Sequence, residues 1–403
     1  MKRYKITILG DIMSEPSLLQ QAKTETGYDY HFVFQPLKGL LSEADYVIGN
    51  LETPFAGEEA GYTNSLVSFN TPDALAEAMK DAGLDMVTTA NNHCLDRGFE
   101  GLERTLTTLD RIGLAHTGTY AKSGTKDRIH YFTLGNTTLA AISYTYGTNY
   151  AINGVAPDGE QENCINYLRH YNAPGMSAPL PETFLATRKL VEEFAGRTLN
   201  WEETLRLKLA MKVPVPYADD IFDPEDSAIY LEKVEADYRE ARNHADLVFF
   251  FPHIGGQFNT KPGRFSVYII DWCRKLGFDG IFAAHSHTTQ KAEIQNNVPC
   301  FYCLGNVSMS PCSIYSVAET LPQYGLAAHV YVENKQLVKT TFSILKIVED
   351  THTPLTVVPV DELYATLTDG TEKATLIAEV SAVYERVTGR KAGQNVICRE
   401  YDL

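Results

Sequence analysis

Long apolar runs are missing from this 403-residue chain. No stretch reaches the ~18 apolar residues that a spanning helix needs, so no integral membrane segment is expected. The basic opening Met1-Lys2-Arg3-Tyr4-Lys5 leads only into Ile6-Thr7-Ile8-Leu9 before Gly10-Asp11. That run is too short for a secretory leader; it reads as a first core strand, and the chain as given reads as cytoplasmic. Positive charge is scarce: 35 Lys and Arg face 51 Asp and Glu, for a net charge of −16. Such a surface repels nucleic-acid phosphates and anionic lipid, so nucleic acid is not expected as a partner. An anionic small molecule or a polyanionic polymer remains open as substrate if a metal centre supplies local positive charge. The seven cysteines (Cys94, Cys164, Cys273, Cys300, Cys303, Cys312 and Cys398) are odd in number and scattered, which excludes a disulfide framework. Cys300 and Cys303 form a C-x-x-C, but within the apolar run Val298–Leu304 and with no second pair. They read as core cysteines rather than zinc ligands. Repeats and low-complexity tracts are also absent.

What is present is a globular composition, 44% hydrophobic and 21% charged, long enough for one large domain with insertions. Apolar runs alternate with helical stretches over the first two-thirds, the pattern of an α/β core. Strands are expected at Ile6–Leu9, Tyr46–Ile48, Met86–Thr89, Leu139–Ser143, Leu247–Phe251, Gly280–Ala284 and Cys300–Leu304. Thr71-Pro72-Asp73 offers an N-cap and a proline for a helix to about Lys80. A second helix is expected from Glu100 to Ile112, closed by Gly113. From about Tyr150 to Asp223 the rhythm breaks. A polar loop (Asn153 to Gln161) gives way to amphipathic patterns around Phe184–Phe194 and Trp201–Lys212, then to Pro214, Pro216 and Pro224. This reads as a helical insertion, either extra packing or a lid. Beyond Ala328 come a hairpin, Val330–Val332 and Leu337–Phe342 around Glu333-Asn334-Lys335, and a helix near Asp361–Val387. The expected organisation is a domain over residues 1–311, with the insertion at about 150–223, and residues 312–403 completing or packing on its core.

Unusual polar residues follow the apolar runs. Asp11 follows the first, Asn50 and Glu52 the second, Asn91-Asn92-His93 the third; His253, then His285 and His287, and Asn306 follow later ones. In open α/β sheets, ligands bind beyond the carboxyl ends of strands, where side chains distant in sequence converge. Singly, each has a plain explanation: Asp11 as a turn or cap residue, Glu52 as a loop acid, Asn91-Asn92 as a left-handed turn, His253 as a histidine satisfied in a tight loop. Their joint occurrence at strand ends points to one polar site. Two carboxylates, an amide and several imidazoles form a donor set suited to Zn, Mn or Fe. One carboxylate can bridge two ions about 3.5–4 Å apart.

The order of motifs is similar to that of the CapA-type poly-γ-glutamate capsule biosynthesis family. Gly10-Asp11-Ile12-Met13, Gly49-Asn50-Leu51-Glu52-Thr53-Pro54, Ala90-Asn91-Asn92-His93-Cys94-Leu95-Asp96-Arg97-Gly98, Thr117-Gly118, His253-Ile254-Gly255 and Ala284-His285-Ser286-His287 carry the resemblance, which covers about Ile6 to Pro311. It implies a metallophosphoesterase-like β-sandwich flanked by helices (α/β/β/α). It also implies that Asp11 and His287 bind one divalent metal ion and Asn92, His253 and His285 a second, with Glu52 bridging in place of the usual aspartate and His93 as the acid near the leaving group. The chain departs from the pattern at Met13, where phosphoesterases place a histidine, at Gln257, where many members have glutamate, and at Ser286, normally proline.

The activity this implies is metal-dependent hydrolysis of a phosphoester or a γ-glutamyl-type amide, with one or two ions acidifying water and His93 protonating the leaving group. Asp96 either orients His93 or, the plainer reading, caps the next helix. Asn50, Arg97, Lys261 and Arg264 are candidate substrate-binding residues, although Lys261 and Arg264 read more simply as a solvated basic pair. Two other roles stay open: a component of poly-γ-glutamate synthesis or export without hydrolytic activity, and a non-catalytic binding protein on the same fold.

Overall fold

Most of the expected strands are apolar on both faces, and stacking two sheets beneath outer helices buries both. The computed structural model describes residues 2–65, 67–122, 128–172, 182–211, 219–220, 222–313, 316–350 and 353–403. Its strands are β1 (Tyr4–Ile12), β2 (Tyr46–Leu51), β3 (Met86–Thr88), β4 (Ala115–Thr117), β5 (His130–Leu134), β6 (Thr137–Thr145), β7 (Leu247–His253), β8 (Gly280–Phe282), β9 (Ala292–Gln295), β10 (Val298–Phe301), β11 (Tyr324–Glu333), β12 (Gln336–Val348), β13 (Thr356–Pro359) and β14 (Tyr401–Asp402). One sheet runs β13-β12-β11-β1-β2-β3-β4, with β14 on β12; the other runs β5-β6-β7-β8-β10-β9. Strands β1 to β4 are parallel, as are β6, β7, β8 and β10. This is the α/β/β/α sandwich expected.

Alternate residues of a strand serve different cores. On β7, Leu247, Phe249 and Phe251 point between the sheets, while Val248 and Phe250 face the outer layer. There they meet Leu231, Val234 and Ala241 of helix Pro224–His244 and Ile269, Ile270 and Cys273 of helix Arg264–Leu276. On the other side, Val47, Leu51 and Val87 pack against Leu75, Ala78 and Met79 of helix Ala74–Ala82. Helix Gly370–Thr388 sends Leu376, Val380, Val383 and Val387 into the inter-sheet core, the spacing of one helical stripe.

Two backbone devices place the first acid. The β1–β2 register shifts between Ile8 and Asp11, and such a bulge re-aims a strand's side chains. Ile6 and Ile8 face the inter-sheet core, whereas Ile12 joins Leu9 on the outer face. Gly10 permits the approach of the next loop. A Cβ there would lie 1.9 Å from the Gly305 carbonyl oxygen, which accepts the Asp11 N–H at 2.9 Å.

Several expectations need correction. Thr71, expected as the cap of helix Ala74–Ala82, does not cap it: Thr71 Oγ1 pairs with Thr53 Oγ1 at 2.7 Å, and the N-cap position falls to Asp73, whose carboxylate takes Arg104 and Arg111 at 2.8 and 2.9 Å instead of the helix N–H groups. The single helix expected near Asp361–Val387 is two, Val360–Thr366 and Gly370–Thr388. The break is set by Asp369, whose carboxylate accepts from the N–H groups of Thr371 and Glu372. Pro224 does not merely punctuate a loop: it opens the 21-residue helix Pro224–His244 behind the N-cap Asp223. Within the stretch from about 150 to 223, helices Glu182–Ala195 and Trp201–Ala210 form, while Lys212, Pro214 and Pro216 lie outside the described residues. The hairpin is longer than expected, and its turn residues Asn334 and Lys335 both have left-handed φ, 51° and 64°, as tight hairpins require.

Candidate metal centre

The polar residues flagged at strand ends meet in one buried cluster. Asp11 comes from β1, Asn50 from β2 and Glu52 from just beyond it, Asn92 and His93 from the turn after β3, His253 from β7, and His285 and His287 from the loop after β8. Glu52 is at the centre. One of its oxygens lies 3.3 Å from His253 Nε2, 3.6 Å from His287 Nε2 and 3.9 Å from His285 Nδ1. Ligand atoms about 2.0–2.2 Å from a shared ion stand roughly 3–3.6 Å apart, so this spacing fits coordination. Glu52 is fully buried, yet neither of its oxygens, nor His285 Nδ1, has a hydrogen-bond partner among the described residues. Buried polar atoms rarely stay unpaired, and each needs a reason; a divalent ion held by this donor set supplies one.

Two triads of ligand atoms share Glu52: Glu52–His285–His287 and Asp11–Glu52–His253. His287 Nδ1 lies 3.5 Å from Asp11 but 2.9 Å from Asn306 Oδ1, and that second contact leaves Nε2 facing Glu52. Such outer partners fix the tautomer of a ligating imidazole. Asp11 accepts from Asn50 Nδ2 at 2.7 Å and from the His285 backbone N–H at 3.1 Å. Asn92 Oδ1 lies 2.7 Å from His253 Nε2. His285 and His287 hold positive φ values of 110° and 52°, backbone strain of the kind that functional sites retain.

The electrostatics are those of a site built around positive charge. Burial, then the charge of Asp11, pushes the Glu52 carboxyl well above its ordinary value. Burial also raises Asp11, but the hydrogen bond and charge of His287, the charge of His253 and the Asn50 amide outweigh it, and Asp11 ends lower. Burial lowers His253 to about 3 and, with the neighbouring imidazoles, holds His285 well below its usual value. Neutral imidazoles are the form that binds metal.

The family model described as "Bacterial capsule synthesis protein PGA_cap" matches residues 5–310. The chain belongs to this family. Among curated relatives, it is 22% identical over 302 residues to "PGA biosynthesis protein CapA" of Bacillus subtilis (strain 168), covering 74% of this chain and 62% of that one. It is 22% identical over 308 residues to "Capsule biosynthesis protein CapA" of Bacillus anthracis, covering 76% and 59%. The chain thus spans about three-fifths of the length of these relatives. A solved structure of a putative 5'-nucleotidase from Staphylococcus aureus in complex with alpha-ketoglutarate aligns at a TM-score of 0.42 and 13% identity, over 94% of this chain and 59% of that one.

Around the capsule-family cluster, His93 and Asp96 form a pair. His93 Nδ1 stands 2.6 Å from Asp96 Oδ2, which also accepts the Phe69 N–H at 2.6 Å. The cap reading of Asp96 is overturned: helix Gly98–Ile112 starts behind Arg97 with no side-chain cap. The expected substrate residues divide. Asn50 sits in the cluster, bonded to Asp11 and Thr88. Arg97 instead bonds the carbonyls of Ala60 and Gly61 and the Ser68 hydroxyl, holding the loop that carries Phe69 over the His93 ring. Lys261 and Arg264 are exposed; no described hydrogen bond or ion pair joins them to the cluster, and the Arg264 guanidinium lies over the Phe222 ring. Sequence reasoning passed over Tyr146 and Asn149. The Tyr146 ring packs 4.6 Å from His285, and Asn149 Oδ1 accepts from Asn92 Nδ2 at 3.2 Å. The strand-end rule would have found both, just beyond β6, but Tyr146-Gly147-Thr148-Asn149 holds no carboxylate or imidazole to draw the eye.

Proposed function

We propose that this member of the capsule-synthesis family is a metal-dependent hydrolase of a phosphoester or a γ-glutamyl-type amide, in a small molecule or a polyanionic polymer. Glu52 carries the reading: a fully buried carboxylate without a hydrogen-bond partner among the described residues, ringed by three imidazoles. Asp11, Glu52, Asn92, His253, His285 and His287 would hold one or two divalent ions (Mn, Zn or Fe), with Glu52 common to both. When bound, such an ion supplies Lewis-acid polarisation and acidifies water. His93 would give a proton to the leaving group from Nε2, the nitrogen left over once Nδ1 is paired with Asp96. Asp96 would hold the ring in that tautomer and stabilise its protonated form. Strands β11 to β14 lie in the same sheet as β1 to β4, which supports reading residues 312–403 as completing the domain of residues 1–311, with about 150–223 inserted. Among the described residues no helix is long and apolar enough to cross a membrane.

The test is elemental analysis of the purified protein, followed by hydrolysis assays of metal-loaded protein on generic phosphomonoesters, phosphodiesters and γ-glutamyl amides. Metal at one or two equivalents with turnover of one class is expected. Protein that takes up no divalent metal would sink the reading, and bound metal without turnover of any class would leave a binding protein on this fold.

A further inference from the structure

Tyr146 is held against the cluster from three directions. Its backbone N–H donates to the His253 carbonyl at 3.1 Å. Its ring lies 4.6 Å from the His285 ring and nearly parallel to that of His253, at 6.4 Å. Behind it stands Arg169, itself buried, with the guanidinium carbon 5.4 Å from the Tyr146 ring centre and 4.7 Å from that of Phe265, and Nε donating to the Tyr146 carbonyl at 3.4 Å. Arg169 is carried in by the chain that follows β6, where Thr145 and Tyr167 bridge and the Leu168 N–H donates to the Thr145 carbonyl at 2.8 Å.

The body of this tyrosine is therefore fixed, while its hydroxyl shares no hydrogen bond with any described residue. Its ring lies against two of the proposed ligands, with ring centres 4.6 Å from His285 and 6.4 Å from His253, which keeps the hydroxyl within a few ångströms of the cluster. A donor beside a metal centre is suited to an anionic oxygen that the ion also attracts, because hydrogen bonds to charged groups are the strong ones. The positive charge of Arg169 beside the ring makes the phenol a stronger donor.

We infer that Tyr146 is a substrate-contacting residue, its hydroxyl donating to an anionic phosphoryl or carboxylate oxygen held at the cluster, with Arg169 as the positioning residue that keeps the ring in place. This rests on reading the cluster as a metal centre, and its test separates the two. Metal content and anion affinity are measured for wild type and Tyr146→Phe, using calorimetric titration with inorganic phosphate and with γ-glutamylglutamate. The Tyr146→Phe variant should keep its metal and its stacking while binding the relevant anion about 10- to 100-fold more weakly; whichever probe loses affinity identifies the source of the oxygen. Arg169→Gln should weaken the same anion when Tyr146 is present but add little when combined with Tyr146→Phe, a coupling that a purely structural arginine would not produce. Unchanged affinity for both probes, or no binding of either by wild type, overturns the inference. Loss of metal from Tyr146→Phe overturns it too, since the hydroxyl would then serve the ligands. Should wild type hold no metal, the metal reading fails, and the same difference in anion affinity decides the role of Tyr146 in the metal-free protein.

Discussion

Glu400, beside β14, and Glu52, beyond the end of β2, are carboxylates of one sheet with opposite surroundings. Glu400 accepts from Lys5 Nζ at 2.5 Å and from the Tyr331 hydroxyl and Thr341 Oγ1 at 2.7 Å each. Burial pushes it up, but these hydrogen bonds win and bring it down to about 2. Glu52 has no such donors among the described residues; burial and the nearby Asp11 drive it upward. Around Glu400 the chain satisfies its own charge, and the result is stability. Around Glu52 it concentrates negative charge and neutral imidazole, which destabilises the protein until something positive arrives. Functional sites commonly give up stability in this way.

Glu52→Gln should break this contrast most completely. Metal content and any hydrolytic activity should vanish together, as measured by elemental analysis and turnover. In the metal-free state, the sign for a raised carboxyl is that its penalty is absent below the ordinary carboxylate range and grows as pH rises through it. The metal-free Glu52→Gln variant should therefore melt above metal-free wild type at neutral pH, by an amount on the order of 1–3 kcal/mol, and the two should converge near pH ~4. With metal added the order should reverse, because only wild type gains from binding. Equal metal-free melting at neutral pH would show that Glu52 is not strained. The same surroundings bear on pH. His253 and His285 already favour the neutral form, so these two should compete with metal for protons only well below the ordinary imidazole range, whereas the raised Glu52 carboxyl should compete above the ordinary carboxylate range.

The next largest effect should come from His93→Ala, which removes a proton donor beside the cluster without removing a proposed ligand. Metal content should stay at the wild-type value while turnover falls ~10²–10⁴-fold. Parallel loss of metal would make His93 a ligand and overturn its role.

Glu400→Gln sharpens the other half of the contrast. It should leave metal content alone and lower stability by about 1–3 kcal/mol, allowing for solvent screening of a partly exposed group. For a depressed carboxyl the sign is opposite to that of Glu52: the contribution is present above the ordinary carboxylate range and is lost as pH falls toward about 2. Chemical denaturation of variant and wild type should differ at neutral pH and converge in acid.

Side chains whose roles are set locally were legible in the sequence. Strand-end positions exposed Asp11, Glu52, His253, His285 and His287, and helix Gly98–Ile112 closes at the left-handed Gly113, φ 75°, where its pattern ended. What escaped depended on partners far along the chain. Asp73 caps nothing because Arg104 and Arg111, from the next helix, take its carboxylate. Arg97 looked free for substrate, but its donors go to the loop at residues 60–68. For Asp96 the sequence offered both a cap and a partner for His93; the Phe69 N–H, on the same carboxylate oxygen as His93 Nδ1, goes with the second. The bulge in β1 left no mark in the sequence, since Ile6, Ile8 and Ile12 read as one face until the register shift divides them.

The smallest effect expected is also the most local. Asn149 holds a left-handed backbone, φ 53°, and its side-chain oxygen accepts from Asn92 Nδ2 at 3.2 Å, which leaves Asn92 Oδ1 facing the cluster, 2.7 Å from His253 Nε2. Its own amide also comes within 3.5 Å of His93 Nδ1, a packing contact if the proton there is committed to Asp96. Without Asn149, the Asn92 amide can turn and present NH₂ where an ion needs oxygen. Outer partners of this kind are typically worth 10–100-fold in metal affinity. Because Asn92 is only one of several donors, Asn149→Ala should sit near the low end, about tenfold, in a competition titration against a chelator. Alanine also strains the left-handed backbone by roughly 1–2 kcal/mol, whereas glycine adopts it freely. Asn149→Gly should therefore recover the thermal stability lost in Asn149→Ala but not the metal affinity. If glycine restores both, the backbone turn matters and the amide does not, and Asn92 is oriented by something other than Asn149.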